Sequence, residues 1–180
     1  DKQRGLASII LQKFIISKHY NLNFHEIIIS YNKFNKPYFK NSDNFHYNVS
    51  HDKELIVIVG YFDLIGIDIM RINQELNINN FKSFFNENIW KNIINSNDKC
   101  IFYEYWCIIE SYFKCLGNGI IFPKNVIIKY NKNLIYGDES NKYRFNIIHF
   151  KDYVICVSIP VNDNIVLDKY KLIEYKNILM

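Results

Sequence analysis

The segment Asp98–Leu116 limits the fold of this chain more than any other stretch. Within it Phe102, Trp106, Ile109, Phe113 and Leu116 are spaced alternately four and three residues apart, which lays one apolar stripe along an α-helix. Asp98 stands where an N-cap belongs, and Gly117 stands where a left-handed C-terminal cap belongs. Glu110 and Lys114 fall on the flank of the stripe, one turn apart, and so project from the same face.

Other segments follow different periods. Lys2–His19 reads as a helix with Leu6, Ile9, Ile10 and Phe14 on one face. Strands are expected at Ile27–Tyr31, Phe45–Val49, Leu55–Tyr61 and Ile65–Ile69, then at Val126–Tyr130, Arg144–His149 and Tyr153–Ile159. Asn35-Lys36-Pro37 reads as a turn in which Pro37 holds Lys36 extended, its side chain reaching outward. Two shorter helices are expected between Asn79 and Asn95, and another in the tail Asp168–Met180.

A weak internal repeat runs through these strands. Phe45–Lys53 aligns with Tyr143–Lys151 without a gap, and apolar alternation continues through Val59 in one copy and Val157 in the other. Self-similarity over a supersecondary unit points to two related halves. A chance match between two strands of similar composition is the competing account, since Asn, Ile, Lys and Tyr abound as in an AT-rich genome.

Composition bounds the function classes. A chain of 180 residues that is 49% hydrophobic can fold around one good core or two small half-domains without disulfides. Lys and Arg outnumber Asp and Glu by 22 to 18, and no basic run forms a nucleic-acid stripe. An excess this small suits an acidic partner or a phosphate ligand, and equally an ordinary basic surface. Cys100, Cys107, Cys115 and Cys156 form no C-x-x-C pair, so they read as small buried thiols of a reducing compartment rather than zinc or redox centres. No apolar run approaches the length of a membrane span, and Gln12 and Lys13 interrupt the one stretch that could imitate a signal-peptide core.

One acid stands out. Asp68 ends the β-branched run of Ile65-Gly66-Ile67, where a charge sits near a buried edge and is costly unless partnered. It is either a turn residue or a ligand for a hard cation. A carboxylate at a strand end, with a Glu–Lys pair on a helix, suits magnesium beside a phosphate, because that ion takes oxygen ligands from one or two carboxylates and from substrate phosphates. Glu110 and Lys114 have their own plain explanation as a helix pair worth about 0.2–0.5 kcal/mol.

The pieces Asn35-Lys36-Pro37, Phe45-His46-Tyr47-Asn48-Val49-Ser50-His51, Gly66-Ile67-Asp68-Ile69-Met70 and Trp106-x-x-x-Glu110-Ser111-x-x-Lys114-x-x-Gly117 occur in this order. The order and spacing resemble the 4′-phosphopantetheinyl transferases of the surfactin-synthetase-activating type, from about Asp1 to about Pro160. Met70 stands where that family usually has a second acid, a variant similar to its animal aminoadipate-pathway branch. A thioether is too soft for magnesium, so water would fill that coordination position.

The resemblance implies an α+β fold of two similar halves with pseudo-two-fold symmetry, here residues 1–70 and 71–180. It implies Mg²⁺-dependent transfer of 4′-phosphopantetheine from coenzyme A to a serine of an apo acyl or peptidyl carrier protein, releasing 3′,5′-ADP, in fatty acid or polyketide biosynthesis. Asp68 and Glu110 are the implied metal ligands. Glu110 and Lys114 are the implied catalytic pair, and Arg4, Lys36, Ser50, His51 and Lys114 the implied coenzyme A contacts. The expected setting is cytoplasmic, or an organelle if a targeting segment precedes Asp1. The expected state is a monomer, with no nucleic acid or membrane partner.

Two departures matter. Ile109 occupies the place of a family Lys, and Ile89 that of an acid in the segment Phe85–Ile89. Together with the late start of the chain, they keep a second reading open: a relative that binds coenzyme A or a carrier protein without transfer.

Overall fold

The computed structural model describes residues 2–42, 44–119, 126–137 and 141–161. Along the chain come α1 (Lys2–Tyr20), β1 (Ile29–Tyr31), β2 (Pro37–Phe39), β3 (His46–Asp52), β4 (Leu55–Tyr61) and β5 (Gly66–Arg71). These are followed by α2 (Glu87–Ile94), α3 (Cys100–Leu116), β6 (Ile127–Lys129), β7 (Leu134–Tyr136), β8 (Lys142–Phe150) and β9 (Tyr153–Pro160). The fold is α+β. The expected tail helix at Asp168–Met180 lies outside the described residues.

β1 pairs with β2 and β3 with β4, while the larger sheet has the order β5-β9-β8-β7-β6, every described pairing being antiparallel. Side-chain alternation divides this sheet between two cores. Ile67, Ile69, Tyr153, Ile155, Val157 and Ile159 meet Leu55, Val57, Val59 and Tyr61 of β4. On the other face Phe145, Val154 and Cys156 meet the buried side of α2 and α3. The outer face of the β3–β4 hairpin packs Tyr47 and Ile58 against Ile15, Ile16 and Tyr20 of α1. Thus α1, the hairpin, the large sheet and the α2–α3 pair stack in that order.

The repeat seen in the sequence is a repeat of hairpins. Asp52 pairs with Leu55 across the first turn, and Phe150 pairs with Tyr153 across the second. The first turn residue has positive φ in both copies, 50° at Lys53 and 54° at Lys151. Their second turn residues also correspond. Glu54 and Asp152 both pair with Arg71, at the end of β5, so one guanidinium clasps the two turns.

Several expectations need correction. The buried side of α1 carries Gln12 and Ile16, whereas Leu6 and Ile9 are 57% and 41% exposed. Periodicity alone picked the wrong face, because Gln12 is satisfied inside by Ser8 and by the Tyr47 hydroxyl. Helix α3 is not striped but enclosed on nearly all sides, with Tyr103, Cys107, Ile108, Ser111, Tyr112 and Cys115 buried beside the predicted Phe102, Ile109 and Phe113, while the predicted Trp106 and Leu116 are only partly buried. It starts at Cys100 with Lys99, not Asp98, at the N-cap position; the Asp98 carboxylate, one residue earlier, accepts from the Cys100 N–H at 2.8 Å. Gly117 does close it, with φ of 71°. Pro37 opens a short strand rather than completing a turn.

Candidate active site

The site begins with a glycine. A Cβ at Gly66 would lie 1.9 Å from the Ser111 carbonyl oxygen and 2.4 Å from the Cys115 amide nitrogen, so only glycine lets α3 press onto β5 here. Ile67 and Ile69 then point into the core shared with β4, and Asp68 takes the alternate face, toward α3. On α3 the residues that are not fully buried include Trp106, Glu110 and Lys114, successive turns of one line along the helix.

These side chains converge. Lys114 Nζ lies 2.6 Å from Asp68 Oδ1 and 4.0 Å from Glu110 Oε2. The Ser50 hydroxyl donates to Asp68 Oδ1 at 2.9 Å and accepts from Lys114 Nζ at 2.8 Å. Asp68 and Ser50 are buried. Asp68 Oδ2 is buried and has no hydrogen-bond partner among the described residues. Burial and the neighbouring Asp68 charge push the Glu110 carboxyl above its ordinary range, with Lys114 opposing them.

An orphaned carboxylate oxygen, next to a second carboxylate that Asp68 makes harder to ionise, fits a divalent oxygen-seeking cation. Asp68 and Glu110 are the residues that would hold it. Met70, on the Asp68 face of β5, packs against the apolar cluster around α3.

The edge of β5 away from β9 is closed by side chains of β3. Asn48 Oδ1 accepts from Ile67 N at 3.2 Å, and Asp52 Oδ2 accepts from Arg71 N at 2.7 Å. Sequence reasoning passed over Asn48, although its place two residues before Ser50 sets both on one strand face.

Lys36 has a different position from the one expected. Its side chain reaches inward, and Nζ donates to the carbonyls of Lys114 at 2.7 Å, Cys115 at 3.0 Å and Ile65 at 3.4 Å. These are oxygens at the end of α3 and the start of β5, where a cation also meets the negative end of the helix dipole. Burial lowers its pKa from the ordinary lysine value. Asn32 secures the same loop by donating to the Gly117 carbonyl at 3.0 Å. Between this loop and Lys114 lies a pocket of about 310 Å³ lined by Lys36, Pro37, Asn48, Val49, Phe113 and Lys114, among others.

The structure does not bring every predicted contact to this centre. His51 follows Ser50 on β3 and is exposed, its side chain directed to the face that α1 covers. Arg4, on α1, donates to the Lys53 carbonyl at 3.4 Å. Arg4 and His51 therefore belong to the β3–β4 turn, apart from Asp68, Glu110, Lys114 and Ser50.

A buried acid, a second carboxylate and a lysine that lines a pocket are groups that could hold a hard cation beside phosphate oxygens. Comparison with known proteins makes this specific. Residues 64–158 match the 4′-phosphopantetheinyl transferase superfamily, and residues 1–63 match the 4′-phosphopantetheinyl transferase N-terminal family. The chain belongs to the 4′-phosphopantetheinyl transferase superfamily.

Among its relatives, the 4′-phosphopantetheinyl transferase gsp of Aneurinibacillus migulanus is 33% identical over 123 residues, covering 67% of this chain and 50% of that protein. The 4′-phosphopantetheinyl transferase Sfp of Bacillus subtilis is 28% identical, covering 68% and 56%. The L-aminoadipate-semialdehyde dehydrogenase-phosphopantetheinyl transferase of Saccharomyces cerevisiae is 27% identical, covering 67% and 48%. The chain spans about half the length of the curated relatives it matches.

Proposed function

We propose that the chain transfers 4′-phosphopantetheine from coenzyme A to a serine hydroxyl of an apo acyl or peptidyl carrier protein, using Mg²⁺ and releasing 3′,5′-ADP. The observation that carries this reading is the meeting of Asp68, Glu110 and Lys114, with Asp68 Oδ2 left open. Bound at Asp68 and Glu110, Mg²⁺ would neutralise charge on the pyrophosphate oxygens.

The chain's own groups do the rest. Glu110 takes the proton from the carrier serine as its oxygen bonds to the phosphorus that carries pantetheine. The bond from that phosphorus to 3′,5′-ADP breaks, and Lys114 holds the charge that develops on the departing phosphate. Ser50 fixes Asp68 Oδ1 and Lys114 Nζ in register with each other. Lys36 contributes positive field at the pocket wall while it secures the end of α3. Arg4, at the hairpin turn, is the proposed contact for the adenine-end phosphate, and His51 a proposed contact for the phosphate groups of coenzyme A. The matching hairpins support the division into two related halves, residues 1–70 and 71–180.

The test is to incubate the chain with coenzyme A, Mg²⁺ and an apo carrier protein and to weigh the carrier. A carrier heavier by one phosphopantetheine supports transfer. Asp68→Ala and Glu110→Ala should each abolish the gain, and so should excess chelator. Ile109 in place of the family Lys favours one second reading, binding without transfer. That reading predicts coenzyme A binding with no change in carrier mass.

A further inference from the structure

A second constellation lies on the same helix, away from Asp68. Cys100 opens α3, Glu104 follows one turn later, and His149 reaches them from β8. His149 Nε2 is 2.8 Å from Glu104 Oε1. Cys100 Sγ is 3.8 Å from His149 Nδ1 and 4.0 Å from Glu104 Oε1. One ligand atom from each residue falls within a sphere of contacts no wider than 4.8 Å.

We infer that Cys100, Glu104 and His149 form a binding site for a borderline transition metal, with Zn²⁺ as the first candidate. A thiolate, an imidazole and a carboxylate are the donor types zinc takes, and a thiolate excludes Mg²⁺. Zinc bonds of about 2.0–2.3 Å in tetrahedral array set neighbouring ligand atoms about 3.3–3.8 Å apart. With a single His149 nitrogen as ligand the three donor atoms lie within 4.8 Å of one another, so side-chain rotation would bring them to the ion. The carboxylate is also oriented. The Tyr130 hydroxyl donates to Glu104 Oε2, leaving Oε1 toward Cys100 and His149, as outer partners of metal ligands do.

Glu104 is buried, whereas the His149 side chain is 50% exposed and Cys100 is partly so. An ion therefore has a route in and a water-filled fourth position. Bound there, it would tie the first turn of α3 to the β8–β9 hairpin. The C-x-x-C rule could not reveal this set, because its ligands are a Cys and a Glu at helical spacing and a distant strand His. The inference does not depend on the transfer reaction.

The untagged chain, in excess Mg²⁺, is titrated with Zn²⁺ by calorimetry and with Co²⁺ by absorption. One Zn²⁺ per chain and a thiolate-to-cobalt charge-transfer band are expected. Cys100→Ser should remove the band, and His149→Ala should weaken Zn²⁺ binding by about 100-fold. Tyr130→Phe should weaken it by about 10-fold. Asp68→Ala should leave band and affinity intact. In the unsubstituted chain, Zn²⁺ should protect Cys100 from iodoacetamide, read by peptide mapping, which requires no variant to fold. A Co²⁺ complex without the band, no protection of Cys100, or binding lost in Asp68→Ala but kept in Cys100→Ser would overturn the assignment. Glu104 and His149 would then be an ion pair and nothing more.

Discussion

Lys114 Nζ and Asp68 Oδ1 stand 2.6 Å apart, joining the last turn of α3 to the middle of β5 through a buried charge pair. Only one oxygen of Asp68 is used in this way, and the other is sealed from water with no hydrogen-bond partner among the described residues. The pair thus both fixes the helix on the sheet and keeps a carboxylate oxygen ready for a cation. Removing one member of a buried pair is far costlier than the pair's own net worth, because the survivor is left uncompensated.

Lys114→Met should therefore destabilise the chain by about 3 kcal/mol, near the low end for buried pairs because the Lys114 side chain keeps 27% of its exposure. Magnesium should recover part of that loss, since a dication can replace the missing ammonium beside Asp68. Urea denaturation with and without Mg²⁺ measures both. A variant as stable as the parent, or one that Mg²⁺ leaves unchanged, would count against this account of the pair.

Gly66→Ala tests the contact that sets Asp68 under α3. The new methyl would meet backbone on the helix side, at 1.9 Å from the Ser111 carbonyl oxygen, and backbone cannot swing aside as a side chain does. The expected loss is at least about 3 kcal/mol, the upper range for overpacked sites. Thermal melting checks it. An alanine variant within about 1 kcal/mol of the parent would show that α3 and β5 are free to separate at this point.

What could be read in advance followed the strength of the local signals. Leu55–Tyr61 was legible to its ends because both its faces are apolar and its turn is short. Glu110 and Lys114 were legible from a four-residue step on a helix, and Asp68 as an acid within a β-branched run, although it stands in the middle of β5 and not at the strand end expected. Ser50 was legible as a site residue, yet its role as the link between Asp68 and Lys114 depends on strand β3 lying beside β5, which no local pattern encodes. The inward turn of Lys36 depends on carbonyls of α3 far along the chain. The face of α1 was misjudged because hydrophobicity ranks Leu6 above Gln12, while the buried hydrogen bonds of Gln12 reverse that order.

His46 gives a pH signature. Burial, with the nearby Lys36 charge, lowers its pKa from the ordinary 6.5, partly offset by Asp63. Between the folded pKa and 6.5 the unfolded chain binds more protons, so stability rises with pH through that window and is lost as pH falls through it. Proton NMR of the imidazole should give a midpoint below 6.5, and His46→Asn should flatten the stability profile on the acid side. A midpoint above 6.5 would reverse the sign and contradict the burial.

Ile109 tests the departure from the family pattern. It is 4% exposed within the cluster formed around α3, so a lysine there loses the apolar burial and cannot leave its charge in place. The loss of a side chain of this size, about 3 kcal/mol, corresponds to a fall of about 6–12 °C in Tm for a chain of this length. The ammonium should escape along its stem toward water, as long basic side chains do. There it would attract the pyrophosphate, and Ile109→Lys should bind coenzyme A more tightly, with the gain larger at low salt because screening is weaker. Calorimetry at two ionic strengths, paired with a melting curve, reads both effects. A variant that melts lower but binds no more tightly at either ionic strength would mean that position 109 has no path to the phosphates. The isoleucine would then serve the core alone, and the absence of a lysine would not account for any difference in coenzyme A affinity.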